Sequence, residues 1–400
     1  MQVERAELLE LLSADGLRLL DNLPEWREAD DIVKVVADLR AAGHPAGLVA
    51  TVLSQAKLRA KAAVKFGEFA AHMLFTTAGL EQATRLSVAA LHAGRFTQAG
   101  LTRVADLGCG IGGDALALSS LDREVTAVEA DEVTAAIASY NLAPFPRATV
   151  LHARAEDVTL DVDGIWFDPA RRHTVAGTTT RLHDPQAYCP PLSFVWDLAA
   201  HTPLGVKLGP GTDRSVIPPH SEAQWVSVDG NLVELAVWCG SLARSGVRRA
   251  ALVIRGNSHH ELTGESDAAD VPVGPLGEYL YEPDGAVIRA RQIGALARTH
   301  AATMISDGIA YLTSDRQFHS PFVRGFRVLE QLPGDERHLR QALAARRIGV
   351  LDIKKRGVGI DPAALRKRLR LKGDASATVV MTRVGGRHLT LLVERITEPQ

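Results

Sequence analysis

The feature that most constrains the fold is a glycine-rich turn directly after a short apolar segment, VADLGCGIGGD at residues 104–114. Glycines at positions 108 and 110 permit a tight turn and let a ligand approach the backbone, and a following helix would present unpaired amides. Glu129 ends the next apolar segment, where a carboxylate can accept hydrogen bonds from both hydroxyls of a ribose. The turn therefore predicts a strand, turn and helix that bind a ribose-containing cofactor.

Short apolar segments alternate with helical stretches between about residue 100 and residue 255. Alternation of this kind is typical of parallel strands joined by crossover helices, so we expect an open α/β sheet. The segments LVELAVWCG and RRAALVI are separated only by SLARSGV, which is too short for a parallel crossover. We therefore expect these two strands to form an antiparallel hairpin at one edge of the sheet.

The regions on either side of the sheet differ from it in pattern. Leucines and alanines recur at helical spacing over residues 8–95, which predicts a helical N-terminal domain. Residues 256–277 are rich in Gly, Pro, Asp and Ser, and we expect a linker there. Mixed strand and helix patterns follow, which predict a small α+β domain. The predicted domains are 1–95, 96–260 and 275–400.

Charge around the turn indicates the class of cofactor. Gly108, Gly110 and Gly113 also fit the GxGxxG pattern of nicotinamide enzymes. Asp106 and Asp114 flank these glycines, however, and carboxylates there would repel a pyrophosphate. They suit a cofactor that bears an ammonium and a sulfonium. The pattern therefore favours S-adenosyl-L-methionine over a dinucleotide.

With these features the sequence resembles the class I methyltransferases. DLGCGIGGD is similar to their first motif, Glu129 to the second, AEDV at residues 155–158 to the third, and DPAR at residues 168–171 to the fourth. The resemblance implies a Rossmann-like sheet with an antiparallel edge hairpin. It also implies how S-adenosylmethionine is held. Asp106 and the backbone of Gly108, Gly110 and Gly112 would lie near the methionine moiety. Glu129 would bind the ribose, and Asp157 the adenine amino group.

Asp168, Pro169, Ala170 and Arg171 follow the predicted strand GIWF, at the sheet edge where open α/β sheets bind ligands. They resemble the (Asp/Asn/Ser)-Pro-Pro-(aromatic) motif of enzymes that methylate exocyclic amines, but Ala170 and Arg171 depart from it. DPPR-type motifs of uridine C5 methyltransferases are also similar, but those enzymes need a nucleophilic cysteine. None of the three cysteines here has a signature for one. We expect Asp168 and Pro169 to hold the methyl acceptor, and Arg171 to contact a phosphate or stack on a base.

The segment KFGEFAAHMLFTTAGLEQATR, residues 65–85, precedes the first predicted strand. It loosely resembles the element that closes over the cofactor in many such enzymes. Aromatic side chains at helical spacing, here Phe66, Phe69 and Phe75, are also typical of a hydrophobic core. Both interpretations stay open at this point.

Positive charge is concentrated near the C-terminus of a chain whose net charge is -2. Residues 337–372 contain twelve Lys or Arg and two Asp, a formal charge of +10. Such a concentration of positive charge predicts a surface that binds the phosphates of a nucleic-acid backbone. The residues predicted to contact RNA are Lys354, Lys355, Arg356, Arg366, Lys367 and Arg370.

The string YLYEPDGAVIRA at residues 279–290, the helix ALRKRLRLK and a closing hairpin resemble the THUMP-like domain of a group of bacterial methyltransferases. The resemblance covers about residues 275–396. It implies RNA binding, with tRNA as a plausible ligand.

Several classes of protein are not indicated. The chain has no apolar run long enough for a bilayer and no secretory pattern at its start, so we expect a soluble, cytoplasmic protein without a membrane partner. Its cysteines form no CxxC and its histidines show no ligand spacing, so no metal is expected. The sequence does not indicate an oligomeric state.

Together these patterns predict an S-adenosylmethionine-dependent methyltransferase that acts on a base nitrogen in RNA, with the basic C-terminal domain docking the RNA. Two alternatives stay open. The first is a small-molecule or protein methyltransferase, for which the basic region would be a surface without a ligand. The second is a non-catalytic RNA-binding protein that retains the methyltransferase fold.

Overall fold

The computed structural model describes residues 5–23, 32–169, 172–175, 178–181 and 188–397. The chain divides into two compact units, Met1–Leu208 with Trp238–Ala243 and Gly209–Val237 with Arg244–Gln400. In the part of the chain that the structure describes, no helix is both long and apolar enough to cross a membrane.

The first unit begins with helices, as the leucine and alanine spacing predicts. They are α1 (Arg5–Leu11), α2 (Ala14–Asp21), α3 (Ile32–Ala41), α4 (Ala46–Phe66), a 3-10 helix (Gly67–His72), α5 (Thr77–Gln82) and α6 (Leu86–Gln98). Ser13 starts α2 because its side chain accepts a hydrogen bond from the Gly16 amide. Leu20 of α2 and Val52 of α4 are buried, and the two helices are in contact.

A parallel sheet follows in the order β7-β4-β1-β2-β3. Its strands are β1 (Arg103–Leu107), β2 (Glu124–Glu129), β3 (Ala148–His152), β4 (Gly164–Phe167) and β7 (Leu204–Leu208), with helices α7 (Gly113–Ser120), α8 (Glu132–Leu142) and α9 (Leu192–Ala199) between them. Strands β5 (Arg172–Val175) and β6 (Thr178–Arg181) form a separate antiparallel pair. Strands β4 and β7 are buried throughout, which explains why their sequences are apolar apart from Lys207 of β7.

The second unit opens with strands in the order β11-β10-β8-β9: β8 (Glu222–Val228), β9 (Asn231–Cys239), β10 (Arg249–Arg255) and β11 (Ser258–Gly264). The expected antiparallel edge hairpin is present, but the prediction of its strands was wrong. RRAALVI, which is β10, pairs in parallel with β8 and in antiparallel with β11, instead of pairing with β9. The predicted linker at residues 256–277 therefore contains a strand.

The two overlooked strands are polar for identifiable reasons. Strand β11 is a mostly exposed edge strand, so it lacks the apolar alternation of a half-buried strand. Glu222 and Gln224 of β8 are buried polar residues: Glu222 accepts hydrogen bonds from Arg244, and Gln224 donates one to Glu261 of β11. Long-range polar pairing of this kind gives no local sequence signal.

The predicted α+β region forms a seven-stranded sheet in the order β13-β14-β12-β15-β18-β17-β16. Its strands are β12 (Tyr279–Pro283), β13 (Thr303–Met304), β14 (Leu312–Ser314), β15 (Val323–Leu332), β16 (Ile348–Lys355), β17 (Ala375–Val384) and β18 (Arg387–Arg395). Its helices are α10 (Gly285–Arg289), α11 (Ile293–Thr299), α12 (Glu336–Ala345) and α13 (Pro362–Leu369). The helical N-terminal region, the parallel sheet and this region agree with the predicted fold class.

Helices α12 and α13 pack on this sheet through leucines at helical spacing. Leu339 and Leu343 of α12 and Leu365 and Leu369 of α13 join one hydrophobic core with side chains of β16, β17 and β18. The basic residues of both helices lie on the opposite, exposed faces, directed away from the core.

Candidate functional site

The glycine-rich turn joins β1 to α7 and needs glycine for its backbone. Gly108, Gly110 and Gly112 have φ angles of 77°, 57° and 84°, the left-handed region that L side chains rarely adopt. A Cβ at Gly108 would also lie 2.6 Å from the carbonyl oxygen of Asp168. The predicted cofactor turn and the predicted acceptor motif are thus in backbone contact.

Glu129 ends β2 beside this turn. Its Oε2 accepts a hydrogen bond from the Gly110 amide at 3.0 Å, and its Oε1 accepts one from the Asp131 amide at 2.9 Å. Burial raises the pKa of Glu129, and the two amides oppose this effect. Asp157 lies after β3, exposed at the end of the short 3-10 helix Ala155–Asp157.

Asp106 of β1 is only 1% exposed. Neither of its carboxylate oxygens has a hydrogen-bond partner of good geometry among the residues that the structure describes. Burial, followed by the charges of Asp114 and Asp168, raises the pKa of Asp106 well above its ordinary value, while Lys207 and the Ala115 amide act in the opposite direction. Burying an ionised carboxylate costs free energy unless hydrogen-bond donors or a cation interact with it.

Asp168 follows β4, and its carboxylate forms an ion pair with the ammonium of Lys207. Lys207 lies on β7 and is 4% exposed. It also donates a hydrogen bond to Thr84 Oγ1 at 2.9 Å. Pro169 is buried, whereas Arg171 lies outside the described residues. Sequence reasoning missed Lys207, although a lysine inside the apolar strand LGVKL was a usable signal.

The polar contacts continue from Thr84 to a buried Asp–His pair. Thr84 Oγ1 donates to Asp114 Oδ2 at 2.7 Å, and His92 Nδ1 lies 3.0 Å from Asp114 Oδ1. Burial would raise the pKa of Asp114, but the hydrogen bond and charge of His92, together with Lys207 and Thr84, outweigh it, so the pKa falls below its ordinary value. Within the described residues, Asp114 and Asp168 thus have side-chain partners at hydrogen-bond or ion-pair distance, whereas Asp106 has none.

The segment before β1 packs against the glycine turn. Phe66 and Phe75 are fully buried with ring centroids 5.7 Å apart, which agrees with the core interpretation of these two aromatics, while Phe69 is exposed. A Cβ at Gly79 of α5 would lie 2.5 Å from the Ile111 side chain. The Asn141 amide donates to the carbonyls of Leu74 and Ile111, so it ties this segment to the turn.

Lys65 holds the end of α5. Its ammonium donates to the carbonyls of Leu80, Glu81 and Ala83 at 2.7–2.9 Å. Burial, followed by the charge of Lys207, lowers the pKa of Lys65 to about 8. These contacts keep α5 beside the glycine turn.

The six residues predicted to contact RNA have different surroundings. Lys354 Nζ lies 3.0 Å from Glu282 Oε2, and Arg356 lies 3.8 Å from Glu282 Oε1, so both pair with β12. The other four are exposed: Lys355 at the end of β16, and Arg366, Lys367 and Arg370 on α13 or at its end.

Other basic residues of the segment also have acidic partners from outside it. Arg346 pairs with Glu330, Arg347 with Asp374 and Arg368 with Glu336. The formal charge of +10 is therefore partly offset in the fold. Within the described part of the chain, seven basic residues of the segment make no ion pair: Arg337, Arg340, Lys355, Arg366, Lys367, Arg370 and Lys372.

The described residues contain no group of three or more His, Cys, Asp or Glu side chains that could hold a metal ion.

Comparison with protein families gives two matches. A THUMP domain-like family matches residues 323–395, and a domain of unknown function matches residues 4–62. The first match confirms the resemblance predicted for the C-terminal region.

Two curated relatives come from Mycobacterium tuberculosis strains CDC 1551 and H37Rv, and each is described as an uncharacterized S-adenosylmethionine-dependent methyltransferase. Each is 36% identical to this chain over 356 residues, covering 86% of this chain and 95% of the relative. A crystal structure from Porphyromonas gingivalis W83, provisionally described as a methyltransferase, aligns over the whole of both chains with a TM-score of 0.72 and 20% identity. The structural likeness concerns the fold.

Proposed function

The chain belongs to the S-adenosylmethionine-dependent methyltransferases, and from that premise we propose that it methylates a base nitrogen in RNA. The observation that carries this proposal is the THUMP-like module of residues 323–395, in which α12 and α13 expose unpaired basic side chains. An exposed cluster of lysine and arginine suits the phosphates of a nucleic acid. Our candidate for this RNA substrate is tRNA, and we propose that the protein acts in the cytoplasm.

The residues around the glycine turn fit the cofactor. The buried carboxylate of Asp106, whose oxygens lack a well-placed hydrogen-bond partner among the described residues, suits the cofactor's ammonium. The backbone of Gly108, Gly110 and Gly112 would lie along the methionine moiety. Each carboxylate oxygen of Glu129 accepts one amide and retains a second lone pair for a ribose hydroxyl. Asp157 would accept a hydrogen bond from the adenine amino group. Bound S-adenosylmethionine supplies an electrophilic methyl group on its sulfonium.

Asp168 is proposed to hold the methyl acceptor. Its backbone touches the glycine turn at Gly108, so an acceptor held by its side chain would lie next to the cofactor. An ionised carboxylate only accepts hydrogen bonds, so Asp168 would bind an N–H of the acceptor base. Buried Pro169 restricts the backbone after Asp168 and keeps the carboxylate in place. Catalysis then consists mainly of positioning.

RNA docking is assigned to the exposed basic residues of α13 and the end of β16, with Arg366, Lys367, Arg370 and Lys355 as direct phosphate contacts. Lys354 and Arg356 pair with Glu282. Their proposed role in RNA docking is to add positive electrostatic potential beside the direct phosphate contacts.

The test is methyl transfer from labelled S-adenosylmethionine to RNA isolated from a strain that lacks this protein. We expect the purified protein to label that RNA, to label wild-type RNA much less, and to restore a methylated nucleoside that mass spectrometry finds missing in the deletion strain. Label that enters only protein or small molecules would contradict the proposal and favour the alternative substrate classes.

A further inference from the structure

Lys207 is a charged residue in an apolar strand. Leu204, Val206 and Leu208 of β7 are fully buried, and Lys207 itself is 4% exposed. Lysine is almost never buried unless it is paired. Replacing a buried ion pair with apolar residues is often neutral or stabilising, so stability alone gives little reason for a lysine here.

The Lys207 ammonium meets three oxygens from two segments of the chain. It pairs with the Asp168 carboxylate, donates to Thr84 Oγ1 at 2.9 Å, and lies 3.5 Å from the carbonyl oxygen of Gln82. An ammonium has three hydrogens, so three acceptors at these positions define its direction. Lys207 therefore joins the acceptor motif after β4 to the end of α5, which packs against the glycine turn.

The surroundings of Lys207 are crowded with carboxylates. The charges of Asp114 and Asp168 act on Asp106, and Lys207 stabilises the ionised forms of Asp106 and Asp114. The Lys207 ammonium offsets the repulsion between these carboxylates. Its ion pair with Asp168 fixes the direction of that carboxylate.

We propose that Lys207 is a positioning residue for methyl transfer: its ammonium keeps the Asp168 carboxylate aimed at the methyl acceptor. This inference rests on the proposed acceptor role of Asp168. Thr84 helps to hold the Lys207 ammonium in place. Its hydroxyl accepts a hydrogen bond from Lys207 and donates one to Asp114, which pairs with His92. Lys207 touches no reacting atom itself and acts only through Asp168.

The experiment is a double-mutant cycle of Lys207→Met and Asp168→Asn, with turnover on deletion-strain RNA measured at saturating S-adenosylmethionine. Calorimetry on each variant establishes the cofactor concentration that saturates it. We expect Lys207→Met to lower turnover by about 10-fold or more with a change of less than about 3-fold in the RNA half-saturation constant, because it alters orientation and not docking. In the Asp168→Asn background, the same substitution should change turnover by less than about 3-fold, because the group on which Lys207 acts is gone.

Thr84→Val is the second variant, since it preserves shape and leaves the ion pair in place. It should give a smaller loss of turnover that also disappears in the Asp168→Asn background. Arg244→Met is the matched control, because Arg244 joins Glu222 and Glu261 in another partly buried ion cluster. It should lower the unfolding temperature without changing turnover.

The outcomes separate the two proposals. If Asp168→Ala lowers turnover while Lys207→Met and Thr84→Val leave it unchanged, the role of Lys207 is overturned and that of Asp168 stands. Equal losses from Lys207→Met in both backgrounds also overturn it, since Lys207 would then act independently of Asp168. If Asp168→Ala itself has wild-type turnover, the proposed acceptor role fails first.

Discussion

Gly108 and Asp168 meet through their backbones: a Cβ at residue 108 would lie 2.6 Å from the Asp168 carbonyl oxygen. Two loops that are sixty residues apart in sequence are therefore in direct contact, one from the proposed cofactor turn and one from the proposed acceptor motif. The contact makes glycine necessary at 108 for a reason beyond its φ angle of 77°.

Gly108→Ala tests this contact, with Gly110→Ala as the matched control. Both glycines have positive φ, which costs an alanine about 1–2 kcal/mol, but a Cβ at Gly110 would meet nothing within 4 Å. We expect Gly108→Ala to reduce the free energy of unfolding more than Gly110→Ala in urea titrations, and to weaken S-adenosylhomocysteine binding more in calorimetry. Equal effects of the two variants on stability would show that the close approach to Asp168 is unimportant.

Glu129→Ala should weaken cofactor binding by about 1.5–3 kcal/mol, the scale of hydrogen bonds to a charged group. Part of the effect would be indirect, since the amides of Gly110 and Asp131 also lose their acceptor. Glu129→Gln separates these contributions because its amide retains one acceptor oxygen, so we expect an intermediate loss in calorimetry. Wild-type affinity in Glu129→Ala would remove this residue from the cofactor site.

The features of the site that the sequence predicted are local ones. The glycine turn and the position of Glu129 at a strand end depend on residues a few positions apart. Patterns at this range survive folding because strand ends and helix starts are set by neighbouring residues.

The features that were missed depend on partners distant in the chain. Lys207 meets Thr84 from 123 positions away, and Lys354 meets Glu282 from 72 positions away. The edge hairpin was misassigned for the same reason, since β8 is polar where its residues reach Arg244 and Glu261. No local pattern encodes which acid a given base will meet.

Cofactor affinity should depend on pH through Asp106. Burial raises the pKa of this carboxyl in the free protein, whereas a bound cation favours the ionised form. Below the raised pKa, binding must release a proton, so affinity should rise by up to about one decade per pH unit and then level off. Calorimetry with S-adenosylhomocysteine between pH 5 and 8 measures the slope. Asp106→Asn should flatten it and lower the plateau; Glu129, whose pKa is also raised, would account for any remaining slope.

The same substitution should stabilise the free protein. Because the pKa of Asp106 is higher in the folded than in the unfolded chain, the folded state binds more protons between the two values. The free energy of unfolding therefore falls as pH rises through that window, and the loss persists above it. Asp106→Asn removes the loss, so we expect a higher unfolding temperature at pH 7 together with weaker cofactor binding. Lower stability at pH 7 would contradict this account.

The basic surface predicts a salt-dependent affinity for RNA. Changing Arg366, Lys367 and Arg370 to Glu should weaken RNA binding and reduce the slope of log affinity against log salt by about 0.7–0.9 for each lost phosphate contact. Filter binding at several salt concentrations measures both quantities. S-adenosylhomocysteine affinity should stay unchanged.

The control reverses three arginines that have acidic partners, Arg346, Arg347 and Arg368. It changes the net charge by the same amount, but these guanidinium groups are already paired, so we expect a smaller change of slope. If both triple variants alter the slope equally, RNA responds to overall charge and not to the proposed contacts.

Asp168→Ala should separate methyl transfer from cofactor binding. We expect turnover on deletion-strain RNA to fall by about 10²-fold or more, the scale for removing one positioned polar group, while S-adenosylhomocysteine still binds at the glycine turn. Asp168→Asn should retain more activity than Asp168→Ala, because an amide oxygen can still accept a hydrogen bond from an N–H. Asp168→Ala also leaves the Lys207 ammonium buried without its carboxylate, so its unfolding temperature should drop, and the assay must be run below that temperature. A folded Asp168→Ala protein with wild-type turnover would show that the acceptor is held elsewhere.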